Sequence, residues 1–260
     1  MSTWAVHTVR CRCGVTTEAQ LADGLHISRL PEVRERIIAG TFHNVACSGC
    51  KEVSVVETKT LYTDFEQFHW VAVAPPWLLG DWATWSEALE KEFHHNMRVA
   101  APPLVRDMAD RFRVRLVFGL DALAEKLFAW DAGLDDRVVE LMKVRLHAAR
   151  RDLFPPGTRL RLVGVDRHKW TLTLRLSEAR GATTSIETSL DTYLLAESAM
   201  DDAPAGVTDV PFGGFDRVFA ASLTGLTHRA AHMHVVESMR PFDADESYPL
   251  PGYPVSEDSE

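Results

Sequence analysis

Cys11, Cys13, Cys47 and Cys50 are the only cysteines of the chain, and their types and spacing are what can do chemistry. They form a Cys-x-Cys pair, an intervening segment and a Cys-x2-Cys pair. Two close pairs separated by a β segment are how zinc ribbons and related knuckles bring four thiolates to one tetrahedral ion. Zinc bound this way supplies folding free energy to a module too small to hold itself by its core. Gly14 follows the first pair and Gly49 lies inside the second, where tight turns would aim backbone amides at sulfur. The reading is therefore one structural zinc held by Cys11, Cys13, Cys47 and Cys50. Two alternatives stand beside it: a vacant site of buried free thiols, and a redox pair at Cys47 and Cys50. The redox motif would open a helix after a strand, whereas strand-prone Lys51 to Val56 follows here. His26 or His43 could replace one cysteine, although a satisfied histidine is the simpler reading of each.

Other chemistry-bearing residues form weaker patterns. His94 and His95 follow Glu90 and Glu92 on a predicted helix, but no second Glu-x-x-His faces them. A solvated helix face is the better reading. His228, His232 and His234 cluster near the C-terminus without the glutamate of a His-Glu-x-x-His metalloprotease. There is no Gly-x-Ser-x-Gly elbow, Walker loop or dinucleotide fingerprint. The pairs Asp135-Asp136 and Asp201-Asp202 read as a helix start and a loop. Trp77, Trp82 and Trp85, beside Pro75-Pro76, read as a core junction or an exposed recognition surface.

The elements that must position the cysteines are strands. Residues 3 to about 75 are β-prone, interrupted by a short helix from Glu32 to Ala39, opened by Pro31 and stopped by Gly40. Val53–Thr60 and Phe68–Ala74 read as two strands joined through Tyr62 to Gln67. Residues 75–157 are helical, at Trp85–Met97, at Leu120–Trp130 and along a third helix patterned by Leu134, Val138, Leu141 and Met142 and closed by Arg150-Arg151, with one strand at Phe112–Phe118. Asp135 and Asp136 sit in the first turn of the third helix and Arg150-Arg151 near its end, as the helix dipole favours. Pro155-Pro156-Gly157 marks a stop. In 158–188 Trp170, Leu172, Leu174 and Leu176 alternate with polar residues, giving one packed strand face of a meander whose turns are Arg167-His-Lys and Ala179-Arg-Gly181. A helix from Asp191 to Met200 follows. The fold class expected is α+β: an N-terminal zinc-ribbon-like β module, a helical region and an antiparallel β meander.

Residues 5–76 resemble the CpXC domain family. The segments that carry the likeness are Cys11-Arg-Cys13-Gly14, then Leu30 through Gly40 to Cys47-Ser-Gly-Cys50, then Leu61 to Asp64 and Val73 to Pro75. A looser echo covers Gly119 to Lys143, in Glu125-Lys126-Leu127 and Gly133 to Glu140. The resemblance implies paired cysteine knuckles around a short helix, with Cys13, Cys47 and Cys50 matching as ligands. The family's first knuckle is Cys-Pro-x-Cys-Gly; aligned on Gly14 it puts Arg10 at the first cysteine, so Cys11 matches only by a one-residue shift. It implies a metal module and no reaction.

The chain has 260 residues, 46% hydrophobic and 25% charged, enough for a sizeable core. Its net charge is −9, and the last sixty residues alone hold eleven acids against three bases. The body is balanced, so it lacks the bulk positive field that draws in phosphate backbones. The expected organisation is a CpXC-like zinc-binding β module at 1–78, an α+β domain at 79–235 and an acidic Pro-rich tail at 236–260. The start of the chain shows no basic and apolar run of a signal peptide, and no stretch approaches the twenty apolar residues of a span. A soluble, cytoplasmic protein is expected. The function expected is noncatalytic: a zinc-binding interaction or scaffolding component with a protein partner or a second copy of itself, away from membranes. Nucleic-acid binding through the arginines at 10, 12, 29, 34 and 36 is the alternative. An enzyme built around the C-terminal histidines is the third.

Overall fold

The structure is a computed structural model that describes residues 2–150, 153–154, 158–177 and 183–201. It divides into two compact units, one running through Ala124 and the next beginning at Glu125. The architecture is α+β. The expected histidine cluster, the acidic tail, the stop at 155–157 and the second meander turn at 179–181 lie outside the described residues.

The first unit is built on a five-stranded sheet of β1 (Thr3–Arg10), β2 (Thr16–His26), β5 (Thr60–Asp64), β6 (His69–Ala74) and β7 (Arg113–Phe118), in that order. β1 and β2 form an antiparallel hairpin, β5 runs parallel to β2, β6 antiparallel to β5, and β7 parallel to β6. β6 is where the N-terminal module was expected to end; its neighbour β7 joins the sheet after a helical excursion. Between β2 and β5 lie helix α1 (Pro31–Ile38) and a small hairpin of β3 (Asn44–Ala46) and β4 (Val53–Val55). Pro31 occupies the first turn of α1 and Val33 and Ile37 are its buried face. Gly40, at φ 69°, ends it, as only glycine does at little cost.

The expected single strand Val53–Thr60 is two short ones, β4 and β5, because the chain leaves the small hairpin to join the large sheet. The turn expected over Tyr62 to Gln67 is also displaced. Tyr62, Thr63 and Asp64 belong to β5, and the Asp64 carboxylate accepts N–H bonds from Glu66 and Gln67 at 3.0 Å each. This Asx-type turn, with Phe68 at φ 56°, reverses the chain one step later. Helix α2 (Trp82–His94) lays Leu89 and Phe93 inward, and the Phe93 ring meets Trp70 edge-on at 5.5 Å. The predicted extension to Met97 is a wider π turn over His95–Val99 that still buries Met97. A short helix α3 (Pro103–Met108) had no apolar periodicity to announce it, and none of its residues is buried. Helix α4 (Leu120–Asp131) begins after Gly119, which sits at φ 97°, and the Glu57 carboxylate accepts the Leu120 N–H at 2.9 Å.

The second unit holds helix α5 (Asp136–Ala149), the antiparallel sheet β10-β9-β8 and helix α6 (Asp191–Asp201). The strands are β8 (Arg159–Asp166), β9 (Thr171–Ser177) and β10 (Thr183–Ser189). Leu172, Leu174 and Leu176 are buried with Leu160, Leu162, Leu141 and Met142. Trp170 leaves the predicted strand face: it lies in the turn at φ 57°, and its indole N–H donates to Asp191 at 2.8 Å. Asp135 precedes α5 as its N-cap, accepting the Arg137 N–H at 2.8 Å.

Candidate metal centre

The two cysteine pairs sit at the tips of two hairpins. The first tip joins β1 to β2 and is closed by Cys11 N–H to Val15 C=O at 2.9 Å and Gly14 N–H to Cys11 C=O at 2.8 Å. Gly14, at φ 87°, makes that turn possible. The second tip joins β3 to β4 and is closed by Cys47 N–H to Glu52 C=O at 2.9 Å and Lys51 N–H to Cys47 C=O at 3.1 Å. Here the left-handed residue is Lys51, at φ 64°, rather than Gly49. Gly49 matters for close approach instead. A Cβ on it would stand 2.9 Å from Val15 Cγ2, so its lack of a side chain lets the two tips touch.

Three further contacts hold the tips together. Ser48 donates its N–H to Thr17 Oγ1 at 3.0 Å, and the two hydroxyls lie 3.1 Å apart. Below them Val9, Leu21 and Val56 form a small buried cluster, with Ala19 and Val45 against it. Thr17 and Ser48 were not anticipated. The signal was a hydroxyl residue within a few positions of each knuckle, too common a pattern to stand out.

The geometry brings all four sulfurs to one point. Cys11 Sγ lies 3.6 Å from Cys50 Sγ, and Cys13 Sγ 3.6 Å from Cys47 Sγ. The four ligand atoms are all within 4.8 Å of one another. A Zn–S bond of about 2.3 Å in a tetrahedron requires sulfurs about 3.8 Å apart, so the spacing fits a four-thiolate ion. It is far from the bonded separation of about 2.05 Å in a disulfide, and all four cysteines are free. Each close contact joins one cysteine of the first tip to one of the second. The tight Cys-x-Cys spacing therefore does not keep Cys11 away.

Amides surround the sulfurs and set their acidity. Cys47 Sγ accepts the N–H of Cys50 and, after the opposing effect of desolvation, that of Gly49; these bonds and the neighbouring sulfurs of Cys13 and Cys11 bring its thiol down to about 6. Cys11 accepts the Cys13 N–H, but desolvation and the crowd of sulfurs from Cys50, Cys13 and Cys47 push its thiol up to about 12. Cys50 accepts the Glu52 N–H and is likewise displaced upward, by Cys13, desolvation and Cys47. One thiolate forms readily and the next meet its charge. A central dication removes that repulsion, which is why metal-bound thiols are deprotonated outright.

The other candidates fall elsewhere. His43 is a core histidine: its Nε2 accepts the Ala22 N–H at 2.9 Å and its ring stacks on Phe42 at 4.0 Å. Burial holds its pKa down to about 4. His26 stacks on Phe65 at 5.2 Å. Neither joins the sulfur cluster. His94 and His95 are exposed at the end of α2. Trp77 is exposed, whereas Trp82 and Trp85 are half-buried, and Lys59 Nζ stands 4.5 Å over the Trp85 ring.

In the second unit a group of buried charges escaped the sequence reading. Lys126 pairs with Asp136 at 2.8 Å, and Asp136 also accepts the Trp130 indole N–H at 2.9 Å. Lys143 pairs with Glu125 at 2.8 Å and Glu140 at 2.7 Å, while Glu125 accepts the Leu162 N–H at 2.6 Å. Its signal was Glu125-Lys126 standing between Leu123-Ala124 and Leu127 on one helix.

A family profile described as CpXC protein matches residues 9–143. That span takes in both cysteine tips and every member of the buried charge group except Leu162. No curated protein and no solved structure matches the chain. No helix among the described residues is long and apolar enough to cross a membrane.

Proposed function

The chain belongs to the CpXC family, and from that premise we propose that it is a noncatalytic zinc-binding interaction protein in which Cys11, Cys13, Cys47 and Cys50 hold one structural zinc. The carrying observation is the meeting of four sulfurs from two hairpin tips within 4.8 Å. Four protein thiolates complete a tetrahedral shell, and a complete shell leaves no position for water or substrate, as structural rather than catalytic sites require. The ion's work is to fix the two tips against each other and so present the surface of the N-terminal unit to a partner protein or a second copy, in the cytoplasm and away from membranes.

The test is metal content of the purified, tag-free chain by mass spectrometry, with free-thiol titration. One zinc per chain and no reactive thiols are expected. Cys47→Ser and Cys50→Ser should lose the metal and partner association together. A metal-free chain with reactive thiols, or serine variants that stay folded and fully associated, would refute the proposal. DNA and RNA titrated at low salt serve as the control, since the phosphate contacts of a nucleic-acid reader strengthen steeply there.

A further inference from the structure

Beside the cysteine cluster two strand edges carry main-chain groups that no other strand among the described residues takes up. In β2, Ala22 turns both of its groups away from β1: its N–H reaches His43 Nε2 at 2.9 Å and its carbonyl accepts Thr60 Oγ1 at 2.7 Å. Antiparallel alternation then turns Gln20 and Glu18 the same way. The next strand, β5, pairs only with Gly24, Leu25 and His26, so among the described residues no strand lies against Glu18 and Gln20 on that side. On either side of β3, the His43 carbonyl accepts the Val56 N–H and the Cys47 N–H donates to the Glu52 carbonyl, both on the β4 side. Asn44 and Ala46 therefore point their main-chain groups to the opposite edge.

Both edges line one cavity of about 550 Å³. It is a slot pinned at each end, by the Ala22–His43 bond and by the Thr17–Ser48 bonds. β2 and β3 run in opposite directions across it. From Thr17 to Ala22 is about 17 Å of extended chain, room for a segment of about four residues between the pins. At the rim Trp4, exposed and packed edge-on against Phe42 at 6.2 Å, gives an apolar wall. The Arg36 guanidinium stands 5.8 Å over the Phe42 ring, and among the described residues no carboxylate pairs with it.

We infer that this slot binds an extended segment of a partner protein, about four residues long and carrying an acidic side chain opposite Arg36, by strand addition to the exposed edges. Unpaired N–H and C=O rows are a template for another strand, and main-chain bonds supply affinity in such complexes while side-chain pockets supply choice. Two charged residues line the slot, Arg36 by Phe42 at the His43 end and Glu18 next to Thr17 at the other, so the positive charge of Arg36 sets the sign of the side chain accepted at its own end. The inference rests on the proposed interaction role and names the class of partner.

The test uses the zinc-loaded full chain. Acetylated and amidated hexapeptides with one fixed Asp and otherwise random positions are selected on it, and an enriched peptide is resynthesised and titrated by NMR. The amides of Glu18, Gln20, Asn44 and Ala46 should shift. N-methylation of one central peptide bond should weaken binding about tenfold, since it removes a main-chain donor without altering the protein. Arg36→Ala should weaken the acidic peptide about three- to fivefold and flatten its salt dependence. No enriched peptide, shifts confined to other surfaces, or indifference to N-methylation would overturn the inference. If that happened while zinc content and the serine variants behaved as proposed, the interaction role would stand and only the slot would fall.

Discussion

Gly49→Ala tests whether the contact of the two hairpin tips governs metal affinity. The backbone of Gly49 is not left-handed, so alanine meets no conformational objection and the effect is steric. The new Cβ would stand 2.9 Å from Val15 Cγ2 and 3.3 Å from Val15 Cβ, against an ordinary carbon–carbon contact of about 3.5–4.0 Å. Valine is stiff at χ1, and its Cβ moves only with the backbone, so the tips must part by some tenths of an ångström. Overpacking of this kind costs about 1–3 kcal/mol. In the metal-free chain the tips can separate and shed the strain, so the cost falls on the loaded state. The zinc dissociation constant should rise about 5- to 150-fold, measured by competition with a chromophoric chelator at neutral pH. Val15→Ala in the Gly49→Ala background should restore most of the affinity, and the double-mutant cycle should show coupling of similar size. A Gly49→Ala chain that binds within about twofold of the parent, or one that Val15→Ala fails to rescue, would refute the reasoning.

Two further perturbations bear on buried groups. Lys143→Met strands the carboxylates of Glu125 and Glu140 in a site where Lys143 is 1% exposed; it should destabilise the chain by about 3–5 kcal/mol in chemical denaturation, and acidification should return part of that loss. A change below about 1 kcal/mol would show that the charges are better hydrated than their burial indicates. His43 has a folded pKa of about 4, below its ordinary 6.5, so the unfolded chain binds the extra proton and stability falls as pH drops through that window, by about 3 kcal/mol in all. NMR of the imidazole separates this from proton competition at the thiolates, and a ring that titrates near 6.5 in the folded chain would be fatal to it.

What was legible in the sequence was what local pattern encodes. Pro31 and Gly40 bracketed α1, the four cysteines named their cluster, and Leu172, Leu174 and Leu176 marked a packed strand face. What escaped depends on distant pairing. Val53–Thr60 reads as one strand because nothing local says that Val53–Val55 pairs with β3 and Thr60–Asp64 with β2 and β6. Trp170 continues an apolar alternation, yet the Asp166 carboxylate, accepting the His168 and Lys169 amides at 3.0 and 2.9 Å, turns the chain first. The close approach at Gly49 was invisible for the same reason, since its partner Val15 lies on the other hairpin.

The two units differ in what their cores supply, and a chelator tests whether the proposed ion holds one of them and not the other. Beneath the cysteine tips the buried cluster amounts to Val9, Leu21 and Val56, too few side chains to offset an ordering cost of about 1–2 kcal/mol per residue. Structural zinc supplies about 10–16 kcal/mol in comparable small modules, so the tips should depend on the ion. The second unit instead packs the leucines of β8 and β9 against α5 and α6, and its buried charges Glu125, Lys126, Asp136, Glu140 and Lys143 are paired with one another. Hydrogen exchange after chelation should therefore lose protection at the amides of Cys47, Lys51 and Val56, which close the β3–β4 hairpin. The amides of β9 should keep theirs. Protection that collapses evenly across both would mean that the ion holds the whole chain together. Unchanged protection at the tips would mean that Thr17, Ser48 and the small core suffice, and the argument for a structural ion would lose its energetic basis.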